Sequence, residues 1–185
     1  AGSNQSGNCT LILTEGDSAK ALAVAGLEIV GRDHFGVFPL RGKVLNVRSV
    51  PVSRMKNNKE LKAICMIVGL EYAKTYATQQ ERRHLRYGKI MIMTDQDNDG
   101  SHIKGLILNF FRYFWPELLK PAQDAEDQDP FISSFVTPLL KATNKKKKKE
   151  VLSFYTQPDF DNWYGGLDDK ERKSWSIKYY KGLGT

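Results

Sequence analysis

Residues 90–100 read Ile-Met-Ile-Met-Thr-Asp-Gln-Asp-Asn-Asp-Gly, and no other stretch restricts the fold as much. Four apolar residues run into Asp95, Asp97 and Asp99, spaced two apart, and Gly100 then turns the chain. A short apolar run bounded by turn residues fits a strand buried on both faces. An extended backbone sends alternate side chains to one face, so Asp95 and Asp97 point together where such a strand ends. Three carboxylates this close resist ionising together unless a cation sits among them. Hard oxygen donors suit Mg2+ or Ca2+ better than Zn2+. The pattern therefore predicts a divalent-metal site at the C-terminal edge of a sheet. Two plainer readings compete. The aspartates can be solvated turn residues or helix caps. D-x-D-x-D-G also opens a calcium-binding EF-hand loop, but the twelfth position of such a loop should be Glu and is Leu106.

A second stretch repeats the arrangement. Residues 10–14 form a β-branched and aliphatic run that ends on Glu15-Gly16-Asp17-Ser18. Gly16 permits a tight turn, and Asp17 or Ser18 can cap the helix predicted from residue 19 to about 30. That helix is apolar on nearly every side and is expected to be buried; Gly31 stops it. In open α/β sheets the strand C-termini face one crevice, so Glu15 can join the aspartates there. Taken alone, Glu15 is an ordinary turn carboxylate.

A short strand at 36–40 leads into Arg41-Gly42-Lys43-Val44-Leu45-Asn46-Val47-Arg48. Arg supplies forked donors, Lys a point charge, and Gly lets backbone N–H groups approach, so the loop can grip phosphate; by itself it also reads as a solvated basic loop. Residues 59–76 predict an amphipathic helix through Leu61, Ile64, Cys65, Val68 and Tyr72. Residues 101–119 predict a second, striped by Ile103, Leu106, Ile107, Phe110, Phe114 and Leu118, with His102 and Lys104 in its first turn. A polar, acidic loop follows at 121–130. Residues 131–142 and 151–156 then read as paired strands, with Asn144 and Lys145 to Lys149 at their tip. That lysine run resembles a nucleic-acid or nuclear-localisation patch and equally a solvated hairpin tip. A helical turn at 159–163 and a strand at 177–180 complete the chain.

Composition narrows the class. The 185 residues are 41% hydrophobic, enough for a substantial core, and the formal charge of +7 favours a polyanionic partner. No apolar run is long enough to span a membrane and no signal peptide is evident. Cys9 and Cys65 lack CxxC spacing and read as reduced thiols. Residues 1–9 read as a tail or cloning scar, 10–120 as a metal-binding core, and 121–185 as an acidic loop, a hairpin and a final strand. The abrupt end at Thr185 reads as an excised piece of a longer chain.

Glu after one buried strand and D-x-D-x-D after a later one resemble the TOPRIM fold, shared by topoisomerases, bacterial primases and some nucleases. Four stretches narrow the resemblance: EGDSA at 15–19, PLRGKVLNVR at 39–48, IMTDQDNDGSHIKGL at 92–106 and KYYKGLGT at 178–185. All are similar to type IIA topoisomerases, in that family's order and over nearly the whole chain. The arginine of PLRGK, the glutamine of TDQD and the closing KYYKGLGT resemble the eukaryotic enzymes more than bacterial gyrase.

The resemblance implies an α/β TOPRIM fold, a central, mostly parallel sheet flanked by helices, with a C-terminal β-rich extension. It implies two Mg2+ ions, for which Mn2+ or Ca2+ can substitute. Glu15 and Asp95 would hold the ion nearest the scissile phosphate, and Asp95 and Asp97 the second, supported by Asp99. Arg41, Lys43, Asn46 and Lys181 would contact double-stranded DNA. Gly16, Asp17 and Arg41 would line the pocket where topoisomerase poisons lodge. The family's nucleophile is an arginine-preceded tyrosine in a following winged-helix domain of the homodimer, and ATP binds at an upstream domain. Neither is in this sequence. Arg86-Tyr87 has the dipeptide, but it introduces the acidic strand, and Tyr87 is assigned a structural role. The implied location is the nucleus, an organellar copy remaining open. Two other classes fit D-x-D less well: a phosphatase of the haloacid-dehalogenase type, which expects Thr or Val where Asp99 stands, and a DNA-binding module without catalysis.

Overall fold

The computed structural model describes all residues except 125–128, 181, 184 and 185. The chain divides into two compact units, one of Ala1–Thr94 with Asn98–Phe135, the other of Asp95–Asp97 with Val136–Thr185.

In the first unit, β1 (Thr10–Glu15) runs straight into α1 (Gly16–Val30), and β2 (Phe35–Leu40) follows. Then come three helices, α2 (Val52–Asn57), α3 (Lys59–Val68) and α4 (Gln79–Arg82). The acidic strand is β3 (Lys89–Met93), followed by α5 (Asn98–Phe114) and the edge strand β4 (Ile132–Ser134). The four strands form one parallel sheet in the order β2-β1-β3-β4. This is the α/β architecture the strand–turn–helix pattern predicts. Leu11, Ile12 and Leu13 of β1 and Ile92 and Met93 of β3 are buried, adjacent residues that point to opposite faces, as expected of strands covered on both. The N-terminal residues belong to the fold: Cys9 is buried, and the Gly88 N–H donates to the Ser6 carbonyl at 2.8 Å. Cys9 and Cys65 are both buried free thiols.

Five expectations need correction. Helix α1 buries only Ala19, Ala23 and Leu27, while Ile29 and Val30 are 88% and 70% exposed. Its small residues fit against the sheet on one side; apolarity all round does not by itself bury a helix. Asp17 and Ser18 lie inside its first turn and do not cap it; the N-cap position is Glu15, without a side-chain cap. Helix α3 stops at Val68, because Gly69 adopts φ +83° and closes the end with its N–H on the Cys65 carbonyl. Tyr72 packs from the following loop instead, stacked 5.4 Å from Trp115. Helix α5 starts earlier and stops at Phe114, because Pro116 cannot continue it and begins a 3-10 turn that carries the buried Leu118.

The fifth correction concerns residues 131–142, which are two strands and not one. β4 lies parallel to β3 at the sheet edge. The next strand, β5 (Leu140–Asn144), belongs to the second unit. There β5 pairs antiparallel with β6 (Val151–Phe154), as expected, and with the last strand, β7 (Trp175–Tyr179). Between β6 and β7 lie α6 (Gln157–Gly165) and α7 (Asp169–Ser174); α7 carries a capping box from Asp168 and Glu171. The lysine run sits on a built turn: Asn144 Oδ1 accepts from the Lys146 and Lys147 N–H groups at 3.0 and 3.2 Å. Lys145 to Lys149 are exposed.

Candidate functional site

The site begins where the parallel strands end. Thr14 lies opposite Met93, so Glu15 and Thr94 stand at the same level. Glu15 in turn pairs with Leu40, so Gly16 and Arg41 are the next residues out of their strands. Parallel register thus gathers residues far apart in sequence at one edge. A fully buried threonine stands at the end of each acidic strand, Thr14 as the last residue but one of β1 and Thr94 directly after β3. The Thr14 hydroxyl donates to the Gly16 carbonyl at 3.2 Å, and the Thr94 hydroxyl to the Gly100 carbonyl at 3.3 Å. Each hydroxyl fastens the first turn of the following helix and satisfies a buried polar group. A carboxylate follows each threonine directly: Glu15 and Asp95.

Gly16 takes φ +73° and Gly42 φ +79°, a conformation that costs other residues strain, so both glycines are backbone requirements here. The basic loop after β2 is pinned by buried Leu40, Val44 and Val47, while Arg41, Gly42 and Lys43 stay exposed. Lys43 Nζ lies 2.8 Å from Asp99 Oδ1. Hydrogen bonding to Asp99, and then its charge, raise the Lys43 pKa, with a smaller contribution from Glu15. The same hydrogen bond and charge lower the Asp99 carboxyl, and His102 adds to the effect. Glu15, Lys43, Asp99 and His102 therefore share one electrostatic neighbourhood. Both members of the ion pair are largely solvated, so the pair adds little stability.

Asn46 acts within its own loop. Its Oδ1 caps a 3-10 turn by accepting the Arg48 N–H at 3.1 Å, and Asn109 Nδ2 approaches it at 3.5 Å. Lys181 lies outside the described residues. In the second unit, Asp95 Oδ1 accepts the Leu183 N–H at 2.8 Å, an interaction that nothing in the sequence pattern announces. Glycines on both sides of Leu183 signal a close backbone approach, without saying to what.

Among the described residues, no three His, Cys, Asp or Glu side chains are gathered as they would be around a bound ion. The donor set still fits a hard divalent cation, being entirely carboxylate oxygen, and the Lys43 ammonium already stands on Asp99 as a cation does.

Tyr87 is part-buried against the core and precedes β3, whereas the carboxylates follow that strand. At about 3.3 Å per residue the five-residue strand alone sets its two ends roughly 13 Å apart. A Cβ at Gly36 would stand 2.2 Å from the Tyr87 hydroxyl oxygen. Gly36→Ala is accordingly expected to destabilise the protein by about 1–3 kcal/mol. Urea unfolding measures this, and an unchanged midpoint would show that the ring yields freely.

A mostly parallel sheet whose strand ends carry Glu and D-x-D-x-D defines a Toprim domain, and the chain belongs to that family. The Toprim domain profile matches residues 10–127, and that of the C-terminal associated domain of TOPRIM matches 135–185. Within the family the sequence is of the kind found in eukaryotic DNA topoisomerase 2. It is 54% identical over all 185 residues to DNA topoisomerase 2 of Drosophila melanogaster, covering 12% of that protein. It is likewise 54% identical over its whole length to DNA topoisomerase 2-beta of Homo sapiens, covering 11%. A solved structure of the Plasmodium falciparum topoisomerase II DNA-binding, cleavage and re-ligation domain matches at TM-score 0.82 and 48% identity, over 100% of this chain and 23% of that one. The chain thus spans about a tenth of its curated relatives' length.

Proposed function

We propose that the chain is the metal-binding part of the DNA cleavage and religation core of an ATP-dependent type II DNA topoisomerase. Such an enzyme passes one duplex through a transient double-strand break in another. The observation that carries the reading is the shared strand edge, where Glu15 ends β1 and the Asp95–Asp97–Asp99 series follows the adjacent parallel β3. Glu15, Asp95, Asp97 and Asp99 would hold two Mg2+ ions. Bound there, divalent metal stabilises the attacking and leaving oxygens of phosphoryl transfer. Glu15 sits at the level of the strand ends and would also move the proton of the leaving or attacking hydroxyl at religation.

Arg41 and Lys43 would grip the DNA backbone, Arg41 by its fork and Lys43 as a point charge. Lys181 and Asn46 would add contacts, Asn46 through its exposed amide. Gly16, Asp17 and Arg41 would line the pocket for topoisomerase poisons beside the broken strand, since Gly16 and Arg41 leave paired strands together. The nucleophilic tyrosine would come from a winged-helix domain within a homodimer, and ATP would bind to another domain. The nucleus is the place of work for such an enzyme. No helix among the described residues is long and apolar enough to cross a membrane.

The test is the salt dependence of DNA binding. Arg41→Ala and Lys43→Ala should each weaken binding with little regard to sequence and flatten the slope of log K against log salt by about 0.9 for each phosphate no longer neutralised. Unchanged slopes would show that this loop faces away from DNA.

A further inference from the structure

Strand β7 delivers the chain into a turn at Gly182 and Leu183, and that turn lies on the first aspartate of the acidic series. The Leu183 N–H donates to Asp95 Oδ1 at 2.8 Å, across 88 residues of sequence. Gly182 approaches the same carboxylate without a side chain. A Cβ there would stand 3.0 Å from Asp95 Oδ2 and 3.1 Å from both Cγ and Oδ1. One contact is directional and the other steric, and both fall on the carboxylate group itself. Together they fix its position and its rotation. A carboxylate offers about four acceptor directions on its two oxygens, and the Leu183 N–H takes one of them. Hydrogen bonds from N–H to an ionised acceptor are also among the stronger ones.

We propose that the Gly182–Leu183 turn is a positioning element of the metal site. It presents Asp95 in the orientation that receives a divalent cation, and closure of the turn and metal binding strengthen each other. This rests on the metal reading given above. The physical basis is general. A ligand held by a partner outside the coordination sphere does not have to be ordered when the ion arrives, and removing such a partner typically costs 10–100-fold in affinity. The coupling is reciprocal: if the closed turn favours the ion, the ion favours the closed turn to the same degree. The glycine matters for its missing side chain, because a Cβ 3.0–3.1 Å from the carboxylate would shift the turn or the carboxylate by about a few tenths of an ångström.

The experiment measures Mn2+ affinity of the 185-residue chain by electron paramagnetic resonance, for the wild type, Asp95→Asn, Gly182→Ala and Leu183→Ala. Gly182→Ala should weaken Mn2+ binding about 10–100-fold. Leu183→Ala keeps the N–H and should bind as the wild type does. In parallel, the Leu183 amide resonance should shift when diamagnetic Mg2+ is added to the wild type, and should not respond in Asp95→Asn. A turn that merely supports the fold would alter the melting temperature of Gly182→Ala and leave its Mn2+ affinity alone. Wild-type affinity in a folded Gly182→Ala, or a Leu183 amide indifferent to Mg2+, overturns the proposal. If Gly182→Ala does not fold, the amide shift in the wild type decides by itself. If Asp95→Asn binds Mn2+ as tightly as the wild type, the metal reading falls and takes this inference with it. If only Gly182→Ala and the amide are silent, the inference falls alone.

Discussion

Replacing Asp95 and Asp97 together by asparagine is expected to abolish divalent-metal binding and leave the fold intact. The amides keep the shape of the carboxylates and remove the charge that a hard cation needs. Neither residue contributes to the apolar core, which lies among Leu11, Ile90, Ile103 and Phe110 on the strands and α5. In the wild type, Mg2+ at a hundred times its Kd should stabilise the folded state by about 2.7 kcal/mol. For a chain of this size that is a rise in Tm on the order of 5–10 °C. The double variant should show no such rise and no heat of binding by titration calorimetry. A metal-dependent rise of wild-type size in the variant would count against these ligands.

The 185-residue chain should neither relax supercoiled DNA nor become covalently attached to it, even with Mg2+ and ATP. Of its two arginine-preceded tyrosines, Tyr113 lies in the last turn of α5, and Tyr87 stands before β3 with its hydroxyl against Gly36, at the other end of the strand from the carboxylates. A chain extended through a winged-helix domain should gain the nucleophile and, as a dimer, form the adduct. Detergent-quenched reactions with end-labelled DNA compare the two directly. A DNA adduct on the 185 residues that disappears on Tyr87→Phe would falsify both the structural role of Tyr87 and the split active site.

How much of this was legible in the sequence depends on what each signal measures. Local periodicity found β1, β3 and the body of α5, because burial on both faces or along one stripe writes itself into consecutive residues. Termination signals override that periodicity. Gly69 ends α3 although the apolar period runs on to Tyr72, and Pro116 ends α5 although it runs on to Leu118. Partner choice was not legible at all. Nothing in residues 131–142 says that Ile132–Ser134 joins the parallel sheet while Leu140–Asn144 joins the antiparallel one. The charged helices α2, α4 and α7 have few apolar residues to show a period, and caps such as Asn58, Thr78 and Asp168 mark their neighbourhood more clearly than hydrophobicity does.

Within the site, Glu15, Lys43 and Asp99 could be gathered by argument, because strand ends in a parallel sheet share an edge. The hold of Gly182 and Leu183 on Asp95 could not. It joins residues 88 apart through backbone atoms, and backbone atoms carry no residue signature.

The strand order has a consequence for how the chain reaches this state. β1 is the first strand made, yet it lies inside the sheet, between β2 and β3. Its pairing with β3 joins Thr10 to Lys89, so roughly 80 residues must be looped out before half of its hydrogen-bonding edge is satisfied. Parallel pairing over such separations is slow, because chain entropy is lost before the contacts repay it. During synthesis at about 5–20 residues per second, β1 would wait several seconds for its partner, with one edge open. The strand that carries Glu15 is therefore the most exposed to mispairing while the chain is young and the most enclosed once β3 arrives.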